Sequence, residues 1–343
     1  MNLHPLQPEL SMIGFISAIL FLIGIFNYFY DKEFQSDFIF ISLFYLVTSY
    51  FLFYAVTVLG LCQVPFFYLE QPIVSLTNLI LFLGFSFLGA NSVLPELKMK
   101  FQVPYILVLG TVLFPILYWI FHIGVLANLQ FADRGGFLSV CLAAGSLVWF
   151  HETFFPGSGQ NEKVPTNQSD SGFPYLIFVP WACLVSSKSI LNEVYLNLGL
   201  ELLLLGGASS FGFFLLSKIR KPENVSFSPI IGFLSGITFG SASNGLSLAL
   251  LLPLGFALGV LLQVFHQWLV TKLWSQKAAC LFTGLLMAGA AGVFSPLLTW
   301  QRTDFPHPPL IMLGVQAIGL LTVFLLSSLS ASLLFFFRKQ SKN

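Results

Sequence analysis

Charge is what this sequence has least of. Only 8% of its 343 residues are charged, against about 25% in an ordinary soluble domain. Hydrophobic residues make up 56%, forty of them Phe, and the mean hydropathy is +0.86. Fourteen acids and fifteen bases cannot make the polar skin that a water-soluble fold of this size needs. A soluble globular domain is excluded, and so is nucleic-acid binding, since a formal charge of +1 leaves no concentrated basic face. Cysteine is also scarce. Cys62, Cys141, Cys183 and Cys280 are singletons without CxxC spacing, which reads as small hydrophobes packed between helices rather than a disulfide framework or metal site. The chain has no HxxxH, no DxxD and no serine–histidine pair, so neither an enzyme nor a cofactor is expected. What remains is an integral membrane protein that crosses the bilayer many times. Met1 to Ser11 carries no Lys or Arg, which argues against a cleaved secretory signal and against a cytoplasmic N-terminus.

A hydrocarbon core of about 30 Å takes about 20 helical residues. Apolar runs of suitable length predict eleven transmembrane helices, at 10–30, 38–60, 72–94, 103–125, 136–151, 173–191, 194–217, 228–243, 245–266, 278–299 and 309–337. The longest break, with Pro156, Gly157, Gly159 and the polar run Gln160 to Lys163, reads as a cytoplasmic linker over 152–172. It separates a first five-helix half, 10–151, from a second, 173–299, and the long helix 309–337 completes one transmembrane domain over 1–343. An outside N-terminus puts twelve basic residues on the inner side, from Lys32 to Lys342. It leaves only Arg134, Lys188 and Arg302 outside. This asymmetry predicts an N-out, C-in orientation.

Halves with an odd number of helices must have opposite orientations, which is the inverted-repeat arrangement that places a solute path between them. Gly135-Gly136 with Ala143-Ala144-Gly145 in span five has a counterpart in Gly284 with Gly289 to Gly292 in span ten. Small residues at such positions also serve simply for close helix packing.

Several stretches carry a resemblance. Met99-Lys100-Phe101 opens span four as M-R-F. Leu117 to Leu129 is similar to A-H-W-V-W-G…W-L, and Phe131 to Gly145 to D-F-A-G-G-x-V-V-H-x-x-A-G. Val179 to Leu184 resembles F-G-W-F-G-F, Lys221-Pro222 with Ile230 to Gly236 resembles K-P…A-x-x-G-A-V-A-G, and Leu313 to Gly319 opens the last helix. From about residue 72 to 337, the order and spacing of these stretches resemble the ammonium transporter (Amt/Mep/Rhesus) superfamily. The resemblance implies eleven spans in two inverted halves, a homotrimer in the plasma or inner membrane, and a path for ammonia, ammonium or a similar small solute.

It also implies where to look for the path. The family's paired pore histidines fall at Val140 and Thr283, so the proton relay is missing. The five histidines, His4, His122, His151, His266 and His307, read instead as interfacial or loop residues. The cation vestibule falls at Phe121, Trp181 and Lys188, and the gate at Phe82 and Leu184. Lys188 would repel an ammonium ion 4 Å away by about 4 kcal/mol at an effective dielectric of 20, unless it snorkels to the interface or pairs with Glu193. Glu201 is an intramembrane charge that serves either a solute path, a proton site or a contact between subunits. Two functions are compatible with this pattern: a pore for ammonia or a similar neutral solute, or a non-conducting relative that acts as a sensing or structural membrane subunit.

Overall fold

A computed structural model describes residues 105, 108–122, 124–133, 137–154, 196–220, 228–243, 246–272, 276–298 and 308–342. The first three predicted spans, the sixth and the linker beyond Phe154 lie outside the described residues. Among the described residues every regular element is helical. A π-helical turn, Leu109–Leu113, leads into α1 (Phe114–His122), followed by the short α2 (Val125–Asn128) and α3 (Phe137–Phe154). The second half supplies α4 (Leu196–Arg220), α5 (Ser228–Gly240) and α6 (Leu248–Thr271). Span ten is composite: α7 (Gln276–Leu281), a π-helical turn Phe282–Met287, and α8 (Ala288–Val293). After a 3-10 turn at Ser295–Leu298 comes α9, Pro309–Lys342. By length and composition four of these helices can cross a membrane: α3, α4 from Glu201, α6 from Ala249, and α9 as far as Leu333.

Large apolar side chains are exposed along several helices, while a set of hydroxyls is buried with the apolar core. Leu310, Ile318, Leu321, Leu325 and Leu329 recur along the exposed strip of α9, the last four every three or four residues, and Phe211, Ile219, Leu250 and Leu261 are exposed on α4 and α6. In contrast, Ser139, Ser146, Ser209, Ser235, Thr238, Ser241 and Thr283 are all buried. Apolar surface on this scale seeks lipid or a partner rather than water, so the helices belong to an all-α membrane protein.

Lipid is as apolar as leucine, so helices in it associate through close packing rather than through hydrophobic burial. Glycine supplies that closeness here. A Cβ on Gly236 would sit 2.5 Å from the Leu205 carbonyl oxygen, and one on Gly232 would sit 2.7 Å from the Ser210 Cα. Gly255 approaches Leu205 and Ala208, while Gly259 and Gly212 lie against the backbones of Ser209 and Phe256. Through these contacts α4, α5 and α6 form one closely packed layer. The α3 helix sits at the centre, with 78% of its span buried against 33% for α9. It meets span ten on one side at Gly145 and Leu286. On the other it meets α9, where Trp149 packs edge-on to Phe324 at 5.8 Å and Ser327 Oγ donates to the Ala143 carbonyl at 3.4 Å.

Candidate functional site

α3, α5 and span ten pack together at one buried interface. Gly145 touches Leu286 and Gly289 touches Leu142, so residue numbers fall along α3 as they rise along span ten: the two run antiparallel. Span ten and α5 run parallel, Gly284 lying beside Ile231 and Ser235, and Gly292 beside Phe239. Val140 lies on α3 and Thr283 in the π-helical turn, both buried. The contact between Gly145 and Leu286 falls five residues past Val140 and three past Thr283. Along antiparallel axes this puts the two about 12 Å apart, on opposite sides of the crossing. Both are buried near the same helix crossing and do not face each other at one level.

Hydroxyls and a thiol are buried where these helices pack. Thr238 Oγ1 donates to the Leu234 carbonyl at 2.8 Å and reaches Cys141 Sγ at 3.6 Å. Ser235 Oγ donates to the Ile231 carbonyl at 2.6 Å, and Ser146 Oγ to the Leu142 carbonyl at 2.7 Å. Back-bonding of this kind is the ordinary state of a helical serine or threonine. Thr283 departs from it: its hydroxyl is fully buried and makes no hydrogen bond. A π-helical turn is rare and tends to occur at functional positions, and this one holds a hydroxyl whose donor and acceptor capacity is unused.

Sequence reasoning missed the carboxylate that opens α3. Asp133 Oδ1 accepts from the Leu138 N–H at 2.9 Å and Oδ2 from the Ser139 N–H at 3.0 Å. The available signal was an aspartate just ahead of an apolar run, the usual mark of a helix start. In the motif D-F-A-G-G-x-V-V-H the histidine follows the aspartate by eight residues. Counted from the glycine pair its position is Val140, but counted from the Asp133 carboxylate it is Cys141. Loss of a capping oxygen costs about 0.5–2 kcal/mol. Asp133→Ala is therefore expected to lower the thermal midpoint in detergent while Asp133→Asn retains most of it; equal midpoints for both variants and the native chain would refute the cap.

Phe121 closes the last turn of α1, buried, with Phe131 edge-on at 4.8 Å. Phe131 in turn lies against Gly319 of α9, so it belongs to the same aromatic group, though nothing in its sequence context singles it out. Glu201 is half-buried on α4. Trp181, Lys188, Phe82 and Leu184 lie outside the described residues. His266 is not a loop residue: it sits inside α6 with its Nε2 3.3 Å from Cys280 Sγ. That contact also makes Cys280 more than a small hydrophobe. Among the described residues no group of three or more His, Cys, Asp or Glu side chains converges to hold a metal ion.

No family model matches the chain, and no curated protein is similar enough in sequence to be matched. Solved structures are another matter. A structure described as a sensor Amt protein superposes with a TM-score of 0.71 at 14% identity, over 96% of this chain and 93% of that one. Rh50 of Nitrosomonas europaea, described with the Rhesus family of channels, gives 0.68 at 14% identity over 96% and 89%. Mep2 of Candida albicans gives 0.62 at 14% identity; the match covers 77% of this chain and 65% of the Mep2 chain. Helices that cross near Gly145 and a closely packed α4–α5–α6 layer are thus parts of a known architecture: this chain has the fold of the Amt/Mep/Rhesus ammonium transporter superfamily.

Proposed function

We propose that the chain is a divergent ammonium transporter superfamily protein that passes ammonia or a similarly small neutral solute along the interface of α3, α5 and span ten. The observation that carries this reading is the unpartnered Thr283 hydroxyl, buried near hydroxyls that bond back to their own helices, within a fold shared over nearly the whole chain with a Rhesus-family structure. Carrying an ion through hydrocarbon costs several kcal/mol or more. Hydroxyls and an apolar wall offer a neutral molecule hydrogen bonds without that cost, and they hold no base to take a proton from ammonium. Transport is then electroneutral. The reading includes eleven spans in inverted halves, an outside N-terminus, Phe121, Trp181 and Lys188 at the outer entrance, Phe82 and Leu184 at the gate, and a homotrimer in the plasma or inner membrane.

Proteoliposomes carrying an internal pH dye test it. After an ammonium pulse, the interior should alkalinise faster than in protein-free vesicles, with no change in membrane potential. Rates equal to those of empty vesicles would remove the transport reading. The second reading, a sensing or structural subunit, is favoured by the likeness to a structure described as a sensor Amt protein, over 96% of this chain. A lysine at position 188 suits it. If Lys188 plugs the entrance, Lys188→Ala gains methylammonium uptake that the native chain lacks; unchanged uptake shows that the lysine only snorkels.

A further inference from the structure

A second polar cluster lies between α6 and α7. Cys280 Sγ and His266 Nε2 are 3.3 Å apart, and the imidazole is tilted over the Phe213 ring at 5.9 Å between centroids. Cys280 is buried in an apolar group that includes Phe213, Leu258 and Leu262. Two neighbouring polar atoms are unused. His266 Nδ1 and Gln263 Oε1 are both buried without a hydrogen bond, and Gln263 is only 3% exposed. Residues three apart on a helix share a face, so the open amide oxygen and the open ring nitrogen lie on the same side of α6. Buried polar atoms left without a partner are costly in apolar surroundings.

We propose that Cys280 and His266 form a binding site for a soft monovalent metal ion, Cu(I) being the biological representative. Three arguments select this class. Thiolate sulfur and imidazole nitrogen are the donors that such an ion prefers. Two ligands suffice for it, whereas a divalent ion takes four or more, and among the described residues no larger cluster of His, Cys, Asp and Glu exists to supply them. Charge decides the matter. One thiolate with one monovalent cation is neutral, so the complex fits apolar surroundings; a divalent ion would leave a net positive charge buried there.

Binding breaks the thiol S–H bond, and the proton leaves to solvent. Sulfur and Nε2 each donate an electron pair to the cation, and nothing is oxidised or reduced. With Nε2 on the metal, Nδ1 carries the ring hydrogen. Metal-binding histidines nearly always give that hydrogen to an oxygen, and Gln263 Oε1 is the free acceptor one turn away. Gln263 is a positioning residue for the imidazole.

The test uses the full chain in detergent and Cu(I) held by bicinchoninate under argon. The native chain should withdraw a single copper ion, with both sulfur and nitrogen neighbours in its X-ray absorption spectrum. Cys141→Ser should bind as the native chain does. Cys280→Ser and His266→Ala should lose the ion, and Gln263→Leu should weaken it by about 10–100-fold. If the native chain withdraws no copper, or if Cys280→Ser withdraws as much as the native chain, the site does not exist. Should Cys280→Ser fail to fold, the native spectrum decides alone: copper surrounded only by sulfur, or only by nitrogen, overturns the proposal.

Discussion

Gly145→Ala should abolish the folded protein, whereas Gly207→Ala should make it slightly more stable. A Cβ at 145 would lie 2.6 Å from the Leu286 nitrogen, 2.7 Å from its Cβ and 2.9 Å from its Cα. Two of those atoms are backbone, so no side-chain rotation relieves the overlap. Nor can α3 retreat, because Trp149 is already against Phe324 on its other side. Overpacking of an ordinary core costs about 1–3 kcal/mol, and an overlap of the added carbon with backbone that cannot rotate away exceeds that range, against a total stability of about 5–15 kcal/mol. At Gly207 nothing lies within 4 Å of the added carbon. There the same substitution gains about 0.5–1 kcal/mol of backbone entropy. Size-exclusion profiles in detergent report both results. Two variants that elute alike would show that α3 and span ten are not in backbone contact.

The second large effect concerns Thr283 and has opposite signs in two measurements. Valine has threonine's shape without the hydroxyl. Since Thr283 Oγ1 is buried and makes no hydrogen bond, removing it should stabilise the chain by about 1–3 kcal/mol. That corresponds to a rise of about 2–4 °C in thermal midpoint per kcal/mol for a domain of a few hundred residues. On the proposed path, ammonia flux into proteoliposomes should fall, because the solute loses a buried hydroxyl that has no other hydrogen-bond partner. Thr283→Ser should keep both the native midpoint and the native flux. A midpoint that drops on Thr283→Val would reveal a hydrogen-bond partner for the hydroxyl. A raised midpoint with unchanged flux would instead move the solute path elsewhere.

The helices were legible and their facing surfaces were not, for a physical reason. Lipid imposes a length and an apolar character on anything that crosses it, so the predicted runs at 228–243 and 309–337 begin at the residues where α5 and α9 begin. Boundaries moved where charge or polarity misled. α3 continues through Glu152 to Phe154, and α6 runs five residues past its predicted end, to Thr271. Which residues meet across helices depends on rotation about each axis, and an apolar run carries little of that information. The contact between Cys280 and His266 joins two spans that were read separately, and Asp133 reaches past the glycine pair to Leu138 and Ser139. The π-helical turn adds a further obstacle. An extra residue in a turn rotates the downstream part of the helix by about 100°, so a strict α-helical phase carried from Gln276 cannot place both Thr283 and Gly289 correctly.

The length of α9 sets a mismatch with its solvent. The apolar part, Pro309–Leu333, has 25 residues, about 37 Å at 1.5 Å each, against a hydrocarbon thickness of about 30 Å. Tilt, or local thickening of the bilayer, must absorb the surplus, and packing against α3 decides how much of it tilt can take. Residues 334–342 continue the helix beyond that stretch and carry Arg338, Lys339 and Lys342. The last helix is thus a ruler with one fixed edge and a charged end, and bilayers of different thickness would change the angle at which it presses on the centre of the fold.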